Sequence, residues 1–345
     1  MAAFKYRFAN DYSELAHPEI MAAMAALGTE QFDGYALDEH CLRAAELIKE
    51  RFQVPAADVH FASGGTHSNF IVLSSMLRPH EAVIATSLGH IFTHEAGAVE
   101  ATGHKVCTAA GVDGKLRVQD IQAVVDYHSD EHMVKPKAVY ISQSTELGSV
   151  YSKAELSALY QCCQANGLYL FVDGARLGAA LNSPIGDLSY AEFACLVDAF
   201  YVGGTKNGGI YGEAIVICRD ELKADFRYIL KQKGALLAKG AGMGIQFETF
   251  FKASLYDDLA RHANAMGHRL AAGITALGYE LLSPIQTNQV FPIFSTELAR
   301  QLHDLYDFHD WDDYGDTRCV RLVASWATPV AMVDMFLADL AELTK

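Results

Sequence analysis

The sequence lacks the features of secreted, membrane-spanning and zinc-binding proteins. Its 7 cysteines include no C-x-x-C pair and no spacing typical of a zinc site, so we interpret them as reduced core residues. The longest uncharged stretches, such as 61–77, are interrupted by Ser, Gly, Thr, His and Asn, which a span of about 20 apolar residues does not tolerate. The first residues contain no apolar signal stretch. We therefore expect a cytoplasmic protein without a membrane span and without a bound metal.

Positive charge is also scarce. The chain has 27 Lys and Arg against 42 Asp and Glu, a formal net charge of −15. Such a balance repels both a phosphate backbone and an anionic membrane surface, so we expect neither nucleic acid nor membrane as a partner. The sequence also has no internal repeat, low-complexity tract or Pro/Ser-rich linker. These absences leave a globular protein that acts on a small molecule.

Short apolar runs alternate with longer segments of helical spacing. The runs are 59–63, 82–87, 137–142, 168–173 and 198–204. The helical segments include 38–52, 152–167 and 221–234, and the second begins with Ser152 and Glu155, a capping box. Because the strands are almost continuously apolar, both faces of their sheet should be covered. The pattern predicts the α/β fold class with a mainly parallel sheet.

The pattern changes near Gly242. A long helical stretch runs to Gly278, a strand-like run follows at 290–294, and helices are expected at 297–308 and 329–344. We therefore predict a large domain over residues 1–241 and a smaller α+β carboxyl-terminal domain over residues 242–345. Without a linker between them, the two should pack against each other.

The first candidate for a ligand contact is the segment FASGGTHSN (61–69), where small residues follow a strand and begin a helix. Free backbone N–H groups, together with the hydroxyls of Ser63 and Thr66, can cradle a phosphate at the positive end of a helix. The segment does not match the common dinucleotide or P-loop motifs, and a plain tight turn explains it equally well.

Two further apolar strands end in charged residues. Asp173 ends LYLFVD and is followed by Arg176, which allows a structural ion pair, a helix cap or an acceptor for a protonated ring nitrogen. Lys206 follows DAFYVGG among glycines, which suits either a structural lysine or a desolvated amine for Schiff-base chemistry. The carboxyl ends of parallel strands form the ligand-binding edge of a sheet. An anion cradle, a carboxylate and a lysine at this edge together indicate pyridoxal phosphate.

These motifs resemble those of the threonine aldolase branch of the fold-type I pyridoxal phosphate enzymes, a family that also includes the β-eliminating lyases. The resemblance covers nearly the whole chain and runs through ANDYSELAHPEI, FASGGTHSN, SLGHIFTHEAGA, YISQSTELGSVY, VDGARLGAAL, GGTKNGG, TNQVFPIF and VRLVASW. It implies a large domain like that of aspartate aminotransferase, followed by a smaller carboxyl-terminal domain.

The resemblance implies specific roles for the cofactor-site residues. Lys206 matches the lysine that bonds to the cofactor aldehyde, and Asp173 the carboxylate that binds the ring nitrogen. His90 matches the histidine that stacks on the ring, near His94 and His104, which have no evident role. The phosphate-binding positions correspond to Gly65, Thr66 and Thr205.

The resemblance also implies how the substrate is held. Arg176 and Arg321 match residues near the ring hydroxyl and the substrate carboxylate, with Arg318 as the alternative for the second role. Where many relatives have a serine near the amino terminus, this chain has Asn10, and we expect it to contact the substrate carboxylate. Where many relatives read Asn-Thr-His-Asn, this chain reads Ser-Thr-Glu-Leu. Glu146 therefore replaces a histidine close to the substrate β-hydroxyl.

The reaction implied is cleavage of L-threonine, L-allo-threonine or related L-β-hydroxy-α-amino acids to glycine and an aldehyde. Glu146, His90 and a bound water are the candidates for the base that takes the hydroxyl proton. The alternatives are phenylserine-type cleavage or β-elimination on the same scaffold, and a catalytically silent relative. The family implies a homo-oligomer, a dimer or tetramer, in which Tyr35 reaches a neighbour's cofactor.

Overall fold

A seven-stranded mixed sheet runs through the amino-terminal two thirds of the chain in the computed structural model, which describes residues 4–344. The first strand of the chain, β1 (Tyr6–Arg7), lies outside this sheet. The seven strands of the sheet are β2 (Asp58–Ala62), β3 (Glu81–Thr86), β4 (Lys105–Ala109), β5 (Lys135–Ser142), β6 (Tyr169–Asp173), β7 (Ala199–Gly203) and β8 (Glu213–Ile217). The order across the sheet is β2-β8-β7-β6-β5-β3-β4. Every pair is parallel except those that β8 makes with β2 and β7. The carboxyl ends of β2, β3, β5, β6 and β7 therefore share one edge with the amino end of β8.

Helices cover both faces of this sheet. They are α1 (Pro18–Ala26), α2 (Glu39–Phe52), α3 (Gly65–Met76), α4 (His90–Thr93), α5 (Val118–Tyr127), α6 (Lys153–Ala165), α7 (Leu177–Leu181), α8 (Tyr190–Ala194) and α9 (Phe226–Gln232). All residues of β3, β7 and β8 are buried, as expected for strands covered on both sides. In α6, Ser152 and Glu155 form the predicted capping box. The predicted α/β class with a mainly parallel sheet is confirmed.

The carboxyl-terminal third forms a second, smaller core. Its helices are α10 (Ala241–Phe251), α11 (Leu255–Ala276), α12 (Thr296–Leu305) and α13 (Val330–Leu343), and its strands are β9 (Gln289–Val290), β10 (Ile293–Ser295), β11 (Tyr306–Asp307), β12 (His309–Asp313) and β13 (Thr317–Val323). Helix α10 packs against α2 and α1, and Phe247 and Phe250 join the core of the large sheet. Phe8, from the amino terminus, is buried in the second core. The predicted boundary between residues 241 and 242 stays a prediction.

Several elements differ from the sequence expectations. The helical stretch expected over 242–278 is two helices, and the strand expected over 290–294 is interrupted at Pro292, which has no N–H to donate to a strand ladder. Strands β1, β4, β8, β11, β12 and β13 were not predicted, and β11 lies at the end of the segment expected as a helix over 297–308. The interpretation of all cysteines as core residues was wrong for Cys195, which is exposed. Between residues 4 and 344, none of the helices is long and apolar enough to cross a membrane.

Candidate active site

A cavity of about 330 Å³ opens at the sheet edge where the carboxyl ends of the parallel strands meet the amino end of β8. Such an edge is where α/β sheets bind ligands, and the volume is typical of a small-molecule site. The expected cofactor residues Gly65, Thr66, Asp173, Thr205 and Lys206 all line it. His90, Glu146 and Arg176 also line it. The fold therefore brings together eight of the predicted site residues.

The segment after β2 forms an anion cradle, which we define as Ser63–Thr66. Gly64 precedes the 12-residue helix α3 and supplies no side-chain cap. The backbone N–H groups of residues 65–67 donate to no acceptor within residues 4–344. A β-carbon on Gly65 would lie 3.0 Å from the Tyr201 hydroxyl, so the chain needs a small residue here. Free amides at the positive end of a helix suit an anion such as a phosphate.

Asp173 is a buried carboxylate that receives four hydrogen bonds. Oδ1 accepts from the Tyr201 hydroxyl and from the Ala175 N–H at 3.0 Å. Oδ2 accepts from the Tyr140 hydroxyl and from Asn69 Nδ2 at 3.0 Å. Burial alone raises the pKa of Asp173, but nearby positive charge and these donors hold it below its ordinary value. Asp173 is therefore an ionised group at the floor of the cavity.

His90 is connected to Asp173 through two further side chains. Its Nδ1 lies 2.8 Å from Oε1 of Glu95, which is fully buried. Asn69 Nδ2 donates to the same Glu95 oxygen at 2.7 Å and to Asp173. This continuous polar chain fixes the orientation of the His90 ring at the cavity wall.

Lys206 lies in a single 3₁₀ turn, Thr205–Asn207, directly after β7. Burial lowers the pKa of its ammonium group, and the nearby Arg176 guanidinium lowers it further. The surrounding carboxylates act in the opposite direction, but the result is a pKa below the ordinary value. A lysine in such surroundings supplies the neutral amine that attack on a carbonyl carbon requires.

Arg176 forms a buried ion pair with Asp11 rather than with Asp173. Its Nε and Nη2 donate to the two carboxylate oxygens of Asp11 at 2.7 and 3.0 Å. Asn288 adds a third hydrogen bond to Asp11 at 3.0 Å. The structural alternative of an Asp173–Arg176 pair was therefore wrong. The two-point contact holds the guanidinium plane at the cavity edge.

Glu146 lies opposite the cradle on the loop after β5. Its Oε1 accepts from the His90 backbone N–H at 2.9 Å and from the Ser142 hydroxyl at 2.8 Å. Its Oε2 has no hydrogen-bond partner within residues 4–344. Burial raises the pKa of the Glu146 carboxyl group, although the Ser142 hydroxyl, the backbone N–H of Glu146 itself and the His90 N–H oppose the rise. A carboxyl group with a raised pKa and one unbonded oxygen can exchange a proton with a molecule in the cavity.

The two candidate arginines of β13 point to opposite sides of the strand. Arg318 donates to Asp310 and Asp313 at 2.8 Å each, in an exposed ion-pair cluster, and its alternative role at a substrate carboxylate stays a prediction. Arg321 instead lies near Arg176, whose charge joins burial in lowering the pKa of Arg321, although Arg321 is not among the residues that line the cavity. Within residues 4–344, the Nε of Arg321, like that of Arg318, is buried without a hydrogen-bond partner. Arg321 therefore has an unused donor close to the cavity.

Asn10 is tied into its own turn. Its side-chain oxygen accepts from the Tyr12 N–H at 2.9 Å and from the Ser13 hydroxyl at 3.0 Å. The residue does not line the cavity, but the aromatic ring of Tyr12 does. The sequence-based expectation that Asn10 contacts a substrate carboxylate stays a prediction.

Sequence reasoning missed several polar groups of the site. Tyr140 and Tyr201 were treated as core residues of apolar strands. A tyrosine hydroxyl that is fully buried nevertheless needs a partner, which is the signal that was available. Asn69 and Glu95 lie inside two of the quoted motifs. Glu213 begins a strand that was not predicted, so nothing in the pattern pointed to it.

The fold and this cavity define an α/β enzyme of the fold-type I class, to which aspartate aminotransferase belongs. An aspartate aminotransferase from Thermus thermophilus superposes with a TM-score of 0.74 over 99% of this chain and 92% of its own, at 16% identity. At that identity the likeness shows the fold alone.

The particular family follows from the sequence comparisons. The family model described as beta-eliminating lyase matches residues 9–297. A low-specificity L-threonine aldolase from a Pseudomonas species is 33% identical over 97% of this chain and 96% of its own. A threonine aldolase structure from Leishmania major is 49% identical, covers 99% of this chain and 100% of its own, and has a TM-score of 0.97. The chain belongs to the beta-eliminating lyase family, and the expected resemblance to its threonine aldolase branch is confirmed.

Proposed function

We propose that the protein cleaves L-threonine, L-allo-threonine or related L-β-hydroxy-α-amino acids to glycine and an aldehyde, using pyridoxal 5'-phosphate. The observation that carries the proposal is the convergence of Lys206, Asp173 and the anion cradle in one cavity. The same chain is 49% identical to the Leishmania major threonine aldolase. Pyridoxal phosphate presents an aldehyde, a ring nitrogen and a phosphate, and the cavity has a fitting group for each.

The residues present fit this cofactor. The free N–H groups of the cradle, with Thr205, would hold the phosphate, and Lys206 would bond to the aldehyde carbon. Asp173 would face the ring nitrogen. Its four lone-pair positions already receive four donors, so one donor must give way. Asn69 is suited to do so because its amide nitrogen also bonds to Glu95. When bound, the cofactor supplies an electron sink for the bond that breaks at the substrate α-carbon.

The chain's own residues would orient the substrate. We assign the substrate carboxylate to Arg176 and Arg321, since a planar guanidinium binds a carboxylate at two points. Arg321 has an unbonded Nε for this purpose, and Arg176 is held in place by Asp11. Fixing the carboxylate sets which substituent of the α-carbon stands perpendicular to the cofactor ring, and that bond is the one that breaks.

The proton of the substrate β-hydroxyl needs an acceptor. We assign this role to Glu146, whose Oε2 is free and whose raised pKa brings it closer to working pH. His90 and a bound water are the other candidates. The His90 ring is held by Glu95 through Nδ1, so Nε2 is the nitrogen left for a ligand.

A second reaction, β-elimination, is favoured by one observation, the beta-eliminating lyase model that matches residues 9–297. The test is product release from L-threonine, L-allo-threonine and D-threonine by the cofactor-loaded protein, with Lys206→Ala as the control. The proposal expects acetaldehyde and glycine from an L-isomer and none from the variant. Ammonia and a 2-oxo acid from the same substrates would instead show β-elimination. A loaded protein that releases no aldehyde from any isomer would contradict threonine cleavage.

We also infer a homo-oligomer, a dimer or tetramer, with a cytoplasmic location. Tyr35 supports the oligomer because its side chain is exposed, outside the cavity of its own chain, where it can face a neighbouring copy. Sedimentation or light scattering of the purified protein measures the assembly.

A further inference from the structure

Glu213 is a buried carboxyl group that none of the roles above uses. It is 3% exposed, begins β8 and lines the cavity. Its Oε2 accepts the backbone N–H of Gly204 at 2.8 Å. Placing a carboxylate in a buried position is unfavourable unless the charge is compensated, so the presence of Glu213 in this cavity requires a reason.

The sheet register places Glu213 between the cradle and the lysine. Because β8 is inserted antiparallel between β2 and β7, Glu213 stands opposite both Ala62 and Gly203. The chain that leaves Ala62 forms the anion cradle, and the chain that leaves Gly203 leads to Lys206. Neighbouring strands lie about 4.8 Å apart, so the backbone of Glu213 is within a strand spacing of Ala62 and of Gly203, where these two segments begin.

Glu213 is also on the same face of the sheet as the amino terminus of α3. Gly203, its partner on β7, lies two residues after Tyr201 and therefore on the same face. Tyr201 packs with Ile71 and Val72 of α3, and its hydroxyl meets Gly65. An anion held by the cradle would consequently be close to the Glu213 carboxyl group.

The groups around Glu213 do not fully compensate the negative charge of its carboxylate. Burial raises the pKa of Glu213 to about 7, even though the Thr205 hydroxyl, the Gly204 N–H and Lys206 all lower it. Asp173, from β6, adds a like charge. A carboxyl group in these surroundings changes its charge close to neutral pH.

Three other titratable groups are nearby. Tyr201 on β7 and Tyr256 on α11 both have pKa values raised well above neutral, chiefly by burial, so they keep their protons. His67 lies in the first turn of α3, with its ring nitrogens 2.9 Å from the Ser63 hydroxyl and 3.0 Å from the Lys233 carbonyl oxygen. His67 must therefore be left unsubstituted in every protein that is compared in a test of Glu213.

We propose that Glu213 takes up a proton when the cofactor phosphate occupies the cradle, so that phosphate binding and protonation of this one carboxyl group are coupled. The proposal rests on the proposed function, since it requires pyridoxal phosphate in this cavity. The step is a simple protonation, in which the carboxylate and one solvent proton give the carboxylic acid. A phosphate carries a charge of about −1.5 to −2 near neutral pH, and a second negative charge beside it is unfavourable. By linkage, ionisation of Glu213 weakens phosphate binding by the same factor by which the bound phosphate favours protonation of Glu213.

The test compares the wild-type apoprotein with Glu213→Gln in binding pyridoxal 5'-phosphate between about pH 6 and about pH 9. Glutamine has nearly the same shape and retains an oxygen for the Gly204 N–H, but it cannot ionise. The wild-type affinity, relative to that of the variant, should fall by up to about tenfold per pH unit above about pH 7. At the alkaline end the variant should bind more tightly than the wild type, a gain that loss of a merely structural residue would not produce.

Two controls show whether the effect of Glu213 depends on the phosphate group of the ligand. Pyridoxal lacks the phosphate, so its affinity ratio between wild type and Glu213→Gln should change with pH less than the ratio for pyridoxal phosphate. Glu81→Gln is the matched variant, because Glu81 is also buried, begins β3 and accepts one backbone N–H, that of Arg78, at 2.8 Å. Glu81 lies at the opposite edge of the sheet, and its variant should follow the wild-type pH profile. His67 is present in every protein and cancels in the comparison. Lys206 interacts electrostatically with Glu213, so an effect transmitted through Lys206 appears with pyridoxal as well as with pyridoxal phosphate.

Calorimetry of the wild type alone tests the proposal even if the variant does not fold. At about pH 8 the free ligand phosphate is already a dianion, so it takes up no further proton in solution. Titrations in two buffers of different ionisation enthalpy should show more proton uptake with pyridoxal phosphate than with pyridoxal. Equal uptake for the two ligands would overturn the proposal.

Parallel wild-type and Glu213→Gln pH profiles for pyridoxal phosphate would also overturn it. So would an equal effect of the variant on pyridoxal, since Glu213 would then act on Lys206 and not on the phosphate. In those cases the cofactor still binds and the proposed function stands. If neither ligand binds to the wild type at any pH, the proposed function itself fails.

Discussion

Replacing Asp173 with asparagine should strongly destabilise the apoprotein. Asp173 accepts from Tyr201 and Ala175 on one oxygen and from Tyr140 and Asn69 on the other. Asparagine has one oxygen, so in either orientation two buried donors lose their acceptor and meet an NH₂ group. Each buried donor left unsatisfied costs about 1–3 kcal/mol, which gives a loss of about 2–6 kcal/mol in the free energy of unfolding.

Asp198→Asn is the matched control. Asp198 is also buried beside β6 and β7, but at the opposite sheet edge, where Oδ2 accepts from the Leu170 N–H at 2.7 Å. Its Oδ1 has no hydrogen bond, and Arg219 is 3.7 Å away. Burial raises the pKa of Asp198, whereas that of Asp173 is lowered. Asparagine can retain the one acceptor, so we expect a change within about 1 kcal/mol.

Urea unfolding of both variants, followed by tryptophan fluorescence, measures the difference. The pH dependence supplies a second check. Because the pKa of Asp173 is lowered in the folded state, its stabilisation is present above its unfolded pKa, about pH 4, and is lost as pH falls through the folded value. The gap between wild type and Asp173→Asn should therefore narrow in acid. Equal losses for Asp173→Asn and Asp198→Asn at neutral pH would refute the argument from hydrogen bonding.

Three further substitutions, two of them with a matched control variant, test other parts of the site. Gly174→Ala places a β-carbon in collision with the backbone oxygen of Tyr201 in β7 and should cost about 3 kcal/mol or more in thermal or urea unfolding. Gly64→Ala meets nothing within 4 Å and should cost less than about 1 kcal/mol. Arg321→Lys should raise KM for L-threonine by about tenfold or more, whereas Arg318→Lys, in the exposed cluster, should leave it unchanged. Glu146→Gln should lower kcat by about 10²–10⁴ while cofactor binding persists, and an unchanged kcat would remove Glu146 as the base.

The parts of the site that the sequence predicts are those in which a charged residue ends an apolar strand. Asp173 and Lys206 stand out for this reason, and the parallel pattern places their strand ends at one edge. The Arg176–Asp11 pair could not be predicted, because the two residues are 165 positions apart and nothing local links them. The antiparallel insertion of β8 was equally hidden, since strand direction leaves no mark on hydrophobic periodicity. Glu213 was missed with it.

Two other differences between the sequence-based expectations and the structure have local physical causes. Arg318 and Arg321 are equivalent candidates in sequence, but the alternation of β13 sends them to opposite faces. Tyr140 was assigned to the core by composition, and it is indeed buried. Its hydroxyl nevertheless reaches Asp173, a pairing that depends on how β5 and β6 align.

The most direct test of the account is to identify the residue that bonds to pyridoxal phosphate. The loaded protein is reduced with borohydride, digested and analysed by mass spectrometry. The account predicts a phosphopyridoxyl adduct on the peptide that contains Lys206, and no stoichiometric adduct in Lys206→Ala. An adduct on a different lysine, or none on a protein that retains the cofactor, would contradict the assignment of this cavity as the active site.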